Sequence, residues 1–455
     1  VKVNAASKTR LLVPKALESK LFQYLGCQRF IYNKALEQRI EYYQDTGKSL
    51  TYNMQAATLK AWKEECPWLK DPPAPSLQQT LLNLDQGYQN FFNGTAEKPT
   101  FKKKFRKEAS LCFPQASHFS IQRLNKRYGE VDLPKIGKLR FYWASNLPNE
   151  IKSCVVSHDG KHFHVSFQGY KYLTKTADPF NSIGIDMGIN VSIATSKPVA
   201  GTGLQLFNLD IKKIKSLETR IANKQRLQAT KIKRSTRWRK LQDQIRTLHR
   251  KIRNIRQEFA HQLTAKIAKN HGLVFVEDLD VKQMMESASG TKENPGTDVA
   301  KKRGLNRAIG RQGWGRYRTF LTYKVGWYGD GIFPQNPAYS SQKCSRCKHI
   351  SEGNRDTGTI EFQCQRCGFV AHADVNAAAN LEEDGLTSLV AKYGPITTVV
   401  GALRNSDKTK ILGKRSNLGA SRRKSSSNLP TRGQASNGDK AGKNLGSSGD
   451  STKNE

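Results

Sequence analysis

The sequence is short of acidic residues and contains no long hydrophobic run. Its 455 residues include 38 Asp and Glu against 76 Lys and Arg, a formal net charge of +38. So much positive charge repels itself unless a polyanion neutralises it, and nucleic acid is therefore the expected partner. No run reaches the roughly eighteen apolar residues of a membrane helix, and the first ten residues lack the apolar stretch of a signal peptide. We expect no membrane partner.

Cysteine is also sparse, with eight residues in the chain. Four of them are scattered in apolar contexts, and we expect these to be reduced and buried in a reducing cytoplasm: Cys27, Cys66, Cys112 and Cys154. The other four form two C-x-x-C pairs separated by sixteen residues: Cys344, Cys347, Cys364 and Cys367. This spacing is typical of a zinc ribbon, in which four thiolates surround one structural Zn²⁺. Two disulfides in a redox-active module are the alternative.

The apolar periodicity changes along the chain. Residues 1–15 read as a short strand, and the spacing is helical from Ala16 to about Asn93. Residues 105–178 alternate with period two around Asp159-Gly160, which predicts a hairpin within a small antiparallel sheet or barrel that the N-terminal strand joins. A long basic helical pair is predicted from Ile211 to Asn270. The chain ends in Ser, Gly, Asn, Lys and Arg with almost no apolar residue, which is typical of a disordered tail.

Three acidic residues are candidate catalytic residues. Asp186 follows the apolar run of SIGID, Glu277 ends the apolar run of GLVFVE, and Asp374 opens the Ala-rich segment DVNAAANL. Asp278 must point to the opposite face from Glu277, so only one of the two can join Asp186. Hydrolysis of a phosphodiester can use two divalent cations, and clustered carboxylates are the groups that hold them. Ligation by oxygen atoms alone favours Mg²⁺ or Mn²⁺. Helix capping or pairing with the abundant Lys and Arg is the alternative.

Two basic segments are candidate nucleic-acid contacts. They are KKKFRK at 102–107 and KIKRSTRWRK at 231–240. The predicted contact residues are Lys102, Lys103, Lys104, Arg106, Lys231, Lys233, Arg234, Arg237, Trp238, Arg239 and Lys240. Cationic side chains neutralise phosphates, and an indole can stack on a base. Solvated charge runs and a core tryptophan remain the alternatives.

Taken together, these motifs resemble the TnpB family, RNA-guided endonucleases of bacterial insertion sequences that are related to type V CRISPR effectors. The matching segments are GIDMGIN, RSTRWRKL, FVEDL, SSQKCSRC with CQRCG, and ADVNAAANL. PSLQQTLLNLDQGYQNFF and KPTFKKK upstream also look like the family. The resemblance covers residues 1–400 in order.

The resemblance implies an α/β multidomain protein with a RuvC-like (RNase H) nuclease domain, an inserted zinc ribbon, a small β-barrel wedge domain and a helical recognition lobe. The implied boundaries are a wedge strand at 1–15, the recognition lobe at 16–96, the wedge barrel at 97–178, the nuclease domain at 179–338, the ribbon at 339–370, the final nuclease helix at 371–400 and a disordered basic tail at 401–455. It also implies that Asp186, Glu277 and Asp374 are catalytic and hold Mg²⁺ or Mn²⁺, two ions per site. Many relatives have arginine before the last acid, whereas Ala373 stands here.

The implied partners are a guide RNA from the transposon end and target double-stranded DNA, bound by a monomer with one RNA in the bacterial cytoplasm, at the nucleoid. By family position, Tyr52, Gln55 and Gln79 are candidate readers of a short DNA motif flanking the target. The expected activity is RNA-guided cleavage of DNA. A transposase that joins DNA ends with the same acids, a non-catalytic RNA-guided DNA-binding protein and a ribosome-associated RNA binder are the alternatives.

Overall fold

The computed structural model describes residues 1–103, 109–144, 146–290, 294–355 and 359–404. The predicted contacts at Lys104 and Arg106 lie outside these ranges, as does the basic tail beyond Arg404. Within the described residues, no single helix combines the length and apolarity needed to cross a membrane; only the bent helix pair at 373–393 and 396–404 meets both conditions, when its members are taken together.

A seven-stranded antiparallel sheet forms the first core. Its strands are β1 (Lys2–Leu12), β2 (Ala109–Phe113), β3 (Ser120–Arg123), β4 (Tyr128–Leu133), β5 (Gly137–Tyr142), β6 (Glu150–His158) and β7 (Phe163–Tyr172), in the order β2-β6-β7-β1-β5-β4-β3. The N-terminal strand β1 pairs with β7 and β5. Phe113, Phe141 and Phe167 come from separate strands but share one buried cluster, so the sheet curls around a single core. Asp159 and Gly160 form the turn between β6 and β7, as the sequence predicts.

Three helices are inserted between β1 and β2. They are α1 (Lys15–Thr46), α2 (Tyr52–Glu65) and α3 (Ala74–Phe92). The first turns of α1 pack on the sheet through Leu21 and Tyr24, and its later turns pack on α2 and α3 through Ile31 and Leu36. One helix therefore belongs to two cores and holds the helical segment against the sheet.

A five-stranded mixed sheet forms the second core. Its strands are β8 (Asp178–Asp186), β9 (Ile193–Val199), β10 (Leu204–Phe207), β11 (His271–Glu277) and β12 (Gly331–Gln335), in the order β10-β9-β8-β11-β12. β8 to β10 form an antiparallel meander, and β11 runs parallel to both β8 and β12. Every residue of β11 is buried, as expected for a central parallel strand covered on both faces. This arrangement agrees with the RuvC-like fold that the resemblance implies.

Helices cover this sheet. α4 (Ile211–Ala229) and α5 (Thr236–Asn270) precede β11, and α6 (Val281–Met284), α7 (Val299–Gln312) and α8 (Trp314–Tyr328) precede β12. A short hairpin of β13 (Glu361–Gln363) and β14 (Val370–His372) leads directly into α9 (Ala373–Tyr393), which is followed by α10 (Ile396–Arg404). The segment predicted as one final helix at 371–400 is therefore two helices with an 81° bend between them.

The resemblance places the start of the tail at residue 401, which lies inside helix α10. Helix α10 continues to Arg404 because Val400 and Leu403 pack into a buried cluster with Phe275. Arg404 also donates to both carboxylate oxygens of the buried Asp330, at 3.0 and 3.2 Å from its Nε.

Candidate active site and metal centre

Asp186 and Glu277 end two neighbouring strands. β8 and β11 run parallel in a register that pairs Ile185 with Val276, so the next residue on each strand lies at the same level. The two carboxyl groups are joined by a side-chain hydrogen bond, and both residues are 8% exposed. Asp278 faces outward, where its Oδ1 accepts from Arg318 at 2.8 Å, as alternation along a strand requires.

Asp374 reaches the same place from the other end of the chain. It lies in the first turn of α9, where its backbone N–H donates to Nδ1 of His372 at 3.2 Å. A Cβ added to Gly188 would lie 3.8 Å from Oδ2 of Asp374 and 2.7 Å from the carbonyl oxygen of Val191. The glycine thus lets the turn after β8 pass close to this carboxylate. Three acids from distant segments converge at one edge of the sheet.

The pKa shifts of Asp186 and Glu277 show that the three carboxyl groups lie close together. Burial, followed by the nearby carboxylates of Glu277 and Asp374, raises the pKa of Asp186 well above its usual value. Burial also raises the pKa of Glu277, although hydrogen bonds from the backbone N–H of Met187 and from Ser340 oppose the shift. Three ionised carboxylates at this site would therefore need positive charge nearby.

Arg355 is the charged partner that the sequence analysis missed. Its Nη2 lies 3.5 Å from Oδ1 of Asp374, and its charge opposes the rise in the pKa of Asp186. Arg355 lies between the two cysteine pairs, far in sequence from Asp186, and nothing in its local pattern marks it. Among the residues that the structure describes, one half-exposed guanidinium faces three carboxylates, so the site is short of positive charge. Oxygen ligands that lack balancing positive charge fit divalent cations such as Mg²⁺ or Mn²⁺.

The four paired cysteines form one cluster. All four Sγ atoms lie within 4.8 Å of one another, with Cys344 and Cys367 separated by 3.8 Å and Cys347 and Cys364 by 3.5 Å. Four thiolates at about 2.3 Å from one tetrahedral Zn²⁺ would lie about 3.8 Å apart, so the cluster has the size of such a site. Burial opposes ionisation of Cys364, but the backbone N–H groups of Cys367 and Arg366 outweigh it and lower the pKa of this thiol to about 7.

The cysteine segment is docked on α9 by two asparagines. Nδ2 of Asn376 donates to the carbonyl oxygen of Lys343 at 2.8 Å, and its Oδ1 accepts from the N–H of Ser345 at 2.9 Å. Asn380, one turn later, donates to the carbonyl oxygens of Lys343 and Ser340 at 2.6 and 3.0 Å. The same helix carries Asp374, so docking on α9 fixes the cysteine segment relative to this acid.

The predicted nucleic-acid contacts are mostly accessible. Of the residues at 231–240, the structure exposes Lys233, Arg234, Arg237, Arg239 and Lys240 and half-buries Lys231 and Trp238. They lie at the turn between α4 and α5 and in the first turn of α5. Lys102 and Lys103 are exposed, and Nζ of Lys102 lies 3.7 Å from the centre of the Tyr32 ring.

A basic groove that was not predicted from the sequence lies beside these residues. The cavity has a volume of about 1010 Å³ and lies between the β6–β7 turn and helices α4 and α5. Its cationic lining includes Lys161, Arg220, Lys224, Lys240, Arg246 and Arg250, against the carboxylates of Asp159 and Asp243. Asp159 Oδ2 lies 3.8 Å from Arg250, which holds the turn against α5. The groove forms only when the first sheet meets these helices, so no single segment of sequence reveals it.

The three candidate DNA readers differ in accessibility. Gln55 is fully buried, with its amide donating to the carbonyl oxygen of Ala35 at 2.8 Å and accepting from Nε of Arg39 at 2.6 Å. These contacts hold α1 and α2 together, so the structure argues against Gln55 as a reader. Tyr52 and Gln79 are half-exposed and remain available.

Comparison with known proteins places the chain in a family. Three family models match it: "Helix-turn-helix domain" at residues 3–48, "Probable transposase" at 154–288 and "Cas12f1-like, TNB domain" at 314–381. InsQ of Escherichia coli K12 is 35% identical over 367 residues, which cover 80% of this chain and 88% of InsQ. The chain belongs to the TnpB family. A relative from Streptomyces pristinaespiralis is 29% identical over 399 residues, covering 85% of this chain and 90% of that protein. Both relatives have the provisional name of RNA-guided DNA endonuclease.

A solved structure shares the fold. The Cas12f1 protein in a complex with single-guide RNA and target DNA aligns with a TM-score of 0.55 at 12% sequence identity. The alignment covers 84% of this chain and 99% of that one. At this identity the likeness shows the fold, an α/β architecture of the Cas12f type, and says nothing of individual residues.

Proposed function

We propose that this protein is an RNA-guided DNA endonuclease of a transposable element. The observation that carries the proposal is the convergence of Asp186, Glu277 and Asp374 at one edge of a five-stranded sheet. The names of the two TnpB relatives support the same activity. An RNA-binding protein without nuclease activity would have no need of this costly cluster, in which Asp186 and Glu277 are buried and Asp374 is half-buried.

The three acids are the residues that would hold the divalent cations, Mg²⁺ or Mn²⁺. When bound, two such ions stabilise charge on the attacking water and on the leaving oxygen of a phosphodiester. The chain itself fixes the ligands: the Met187 N–H and Ser340 orient Glu277, and the start of α9 presents Asp374. Arg355 is placed to pair with a phosphate oxygen of the substrate strand.

The four cysteines would hold one structural Zn²⁺. Because all four positions around the ion are protein thiolates, no open position remains for catalysis. The role of the ribbon is to fold the segment that presents Arg355 and docks on α9 through Asn376.

Nucleic-acid binding is assigned to the basic surfaces. The groove lined by Arg246 and Arg250, together with the exposed residues at 231–240, offers cationic side chains to the backbone of a guide RNA paired with its target. Tyr52 and Gln79 remain candidates for contact with the flanking DNA motif. A single DNA strand would then enter the acid site, which serves both strands in turn, with one RNA bound by one protein molecule.

The proposal is tested by sequencing the RNA that co-purifies with the protein and by changing its guide portion. A changed guide should redirect cleavage of a plasmid library to the matching target. Asp186→Ala, Glu277→Ala and Asp374→Ala should abolish cleavage and leave RNA binding largely intact. Full cleavage by any one of these variants would remove that acid from the site. Joined DNA ends in place of simple cleavage would favour a transposase.

A further inference from the structure

Asp186 meets Asp374 only because α9 lies along β8 in one particular register. Alternate residues of a strand point to one face of a sheet, and residues four apart lie on one face of a helix. Three positions on each element come together in this way: Ser182, Gly184 and Asp186 on β8 against Glu382, Ala378 and Asp374 on α9. The strand and the helix run in opposite directions, with the acids at one end of the row.

Each of the three paired positions has a different contact. At the far end, the Ser182 hydroxyl donates to Oε1 of Glu382, and Nζ of Lys197 donates to the same oxygen at 2.8 Å. In the middle, a Cβ on Gly184 would lie 1.9 Å from the carbonyl oxygen of Ala378, so the two backbones touch. At the near end, the carboxylates of Asp186 and Asp374 interact unfavourably.

The spacing along both elements allows this row to stay aligned. Two strand residues advance about 6.6 Å, and four helical residues advance about 6 Å. The mismatch over two steps is therefore only about 1 Å. A slip of one helical turn would place Ala378 opposite Asp186 in place of the third acid. Within the row, Glu382 makes directed, attractive contacts with β8 and β9, and these favour the observed register over a slipped one.

We propose that Glu382 is a positioning residue for the divalent-cation site, although it lies too far along the helix to touch a cation or the substrate itself. Glu382 is 8% exposed and accepts hydrogen bonds from Ser182, Lys197 and Ser196. These donors lie on β8 and β9, the hairpin whose turn also supports Glu277 through Met187. Glu382 therefore ties the helix that carries Asp374 to the strands that carry the other ligands. The inference rests on the proposed function in that it assumes the acids bind cations.

The test measures cation affinity separately from cleavage. In the zinc-loaded protein, Mn²⁺ binding is measured by calorimetry, and the Mg²⁺ concentration for half-maximal cleavage is measured with bound RNA. Loss of these contacts in Glu382→Ala should weaken both, by no more than the about 10- to 100-fold effect of removing a group hydrogen-bonded directly to a metal ligand. Glu382→Gln should stay near wild type because its amide oxygen still accepts from Ser182. Glu383→Ala, on the same helix but 48% exposed at its side chain, is the matched control and should match wild type.

The outcomes separate a positioning role from a purely structural one. If Glu382→Ala unfolds at a lower temperature yet binds Mn²⁺ with wild-type affinity, the residue only stabilises the fold and the inference is wrong. If Glu382→Ala does not fold, Ser182→Ala removes one donor while Lys197 remains; weaker Mn²⁺ binding then supports the inference and unchanged binding contradicts it. A wild-type protein that binds Mn²⁺ but cleaves no DNA would overturn the proposed function alone, because the Mn²⁺ affinities would still decide this inference.

Discussion

Replacing Asp186 with asparagine should stabilise the cation-free protein and yet abolish its activity. The amide keeps the shape of the side chain and can hydrogen-bond to Glu277, but it cannot ionise. In the unfolded chain Asp186 has the ordinary aspartate pKa of about 3.9, whereas burial and the neighbouring carboxylates raise its pKa in the folded state. Between these two values the folded wild type holds a proton that the unfolded chain has released.

The size of the effect follows from this difference in bound protons. As pH rises from the unfolded pKa to the folded pKa, the free energy of unfolding of the wild type falls by about 1.4 kcal/mol per pH unit for each such proton. Asp186→Asn lacks this loss, so in EDTA it should become progressively more stable than the wild type through that window. Mg²⁺ should reverse the order, because ions that bind only the folded state stabilise it by about 2.7 kcal/mol at a hundred times their Kd.

The assay is chemical or thermal unfolding from pH 4.5 to 7.5, a range of about three units that extends above the ordinary aspartate pKa. It is run in EDTA and in Mg²⁺. Asp278→Asn is the matched control, since that neighbouring carboxylate is 58% exposed and faces away from the site. Parallel pH profiles for the wild type and Asp186→Asn in EDTA would refute the reasoning. So would equal stabilisation of both proteins by Mg²⁺.

Three further predictions concern the surroundings of the acids. Cys364→Ser should lose the bound zinc and unfold at a lower temperature, and a metal analysis that finds the wild-type zinc content would contradict the ribbon. Arg355→Ala should slow cleavage roughly 10- to 100-fold without loss of RNA binding, with partial recovery in Arg355→Lys; an unchanged single-turnover rate would exclude the contact with phosphate. Arg246→Ala should reduce the slope of log K for RNA binding against log salt concentration by about 1, the loss of one phosphate contact. Lys126→Ala, on the β3–β4 turn, should leave this slope unchanged. Equal slopes for the two variants would exclude the groove as an RNA-binding surface.

Local sequence patterns predicted the elements whose form depends on their own residues. The periodicity of the helical pair matches α4 and α5, and Asp159-Gly160 forms its hairpin turn. The C-x-x-C spacing predicted a cluster that the structure assembles. The proximity of Asp186 and Glu277 was predictable because each acid ends an apolar strand, and the ends of neighbouring strands lie together in a sheet.

Features that depend on register between distant elements were not predictable. Arg355 reaches Asp374 only after the cysteine segment has docked on α9. Glu382 meets Ser182 across 200 residues of sequence. Gln55 is a candidate reader by family position, but packing of α1 against α2 buries it. In each case the partner, and not the local pattern, decides the role of the residue.

Anomalous diffraction from crystals grown with Mn²⁺ would show directly whether the three acids hold cations. We expect Mn²⁺ peaks between Asp186, Glu277 and Asp374 in the wild type, and their loss in Asp186→Asn. Peaks confined to other parts of the molecule, or acids that at saturating Mn²⁺ contact Arg355 and no ion, would contradict the proposed cation site.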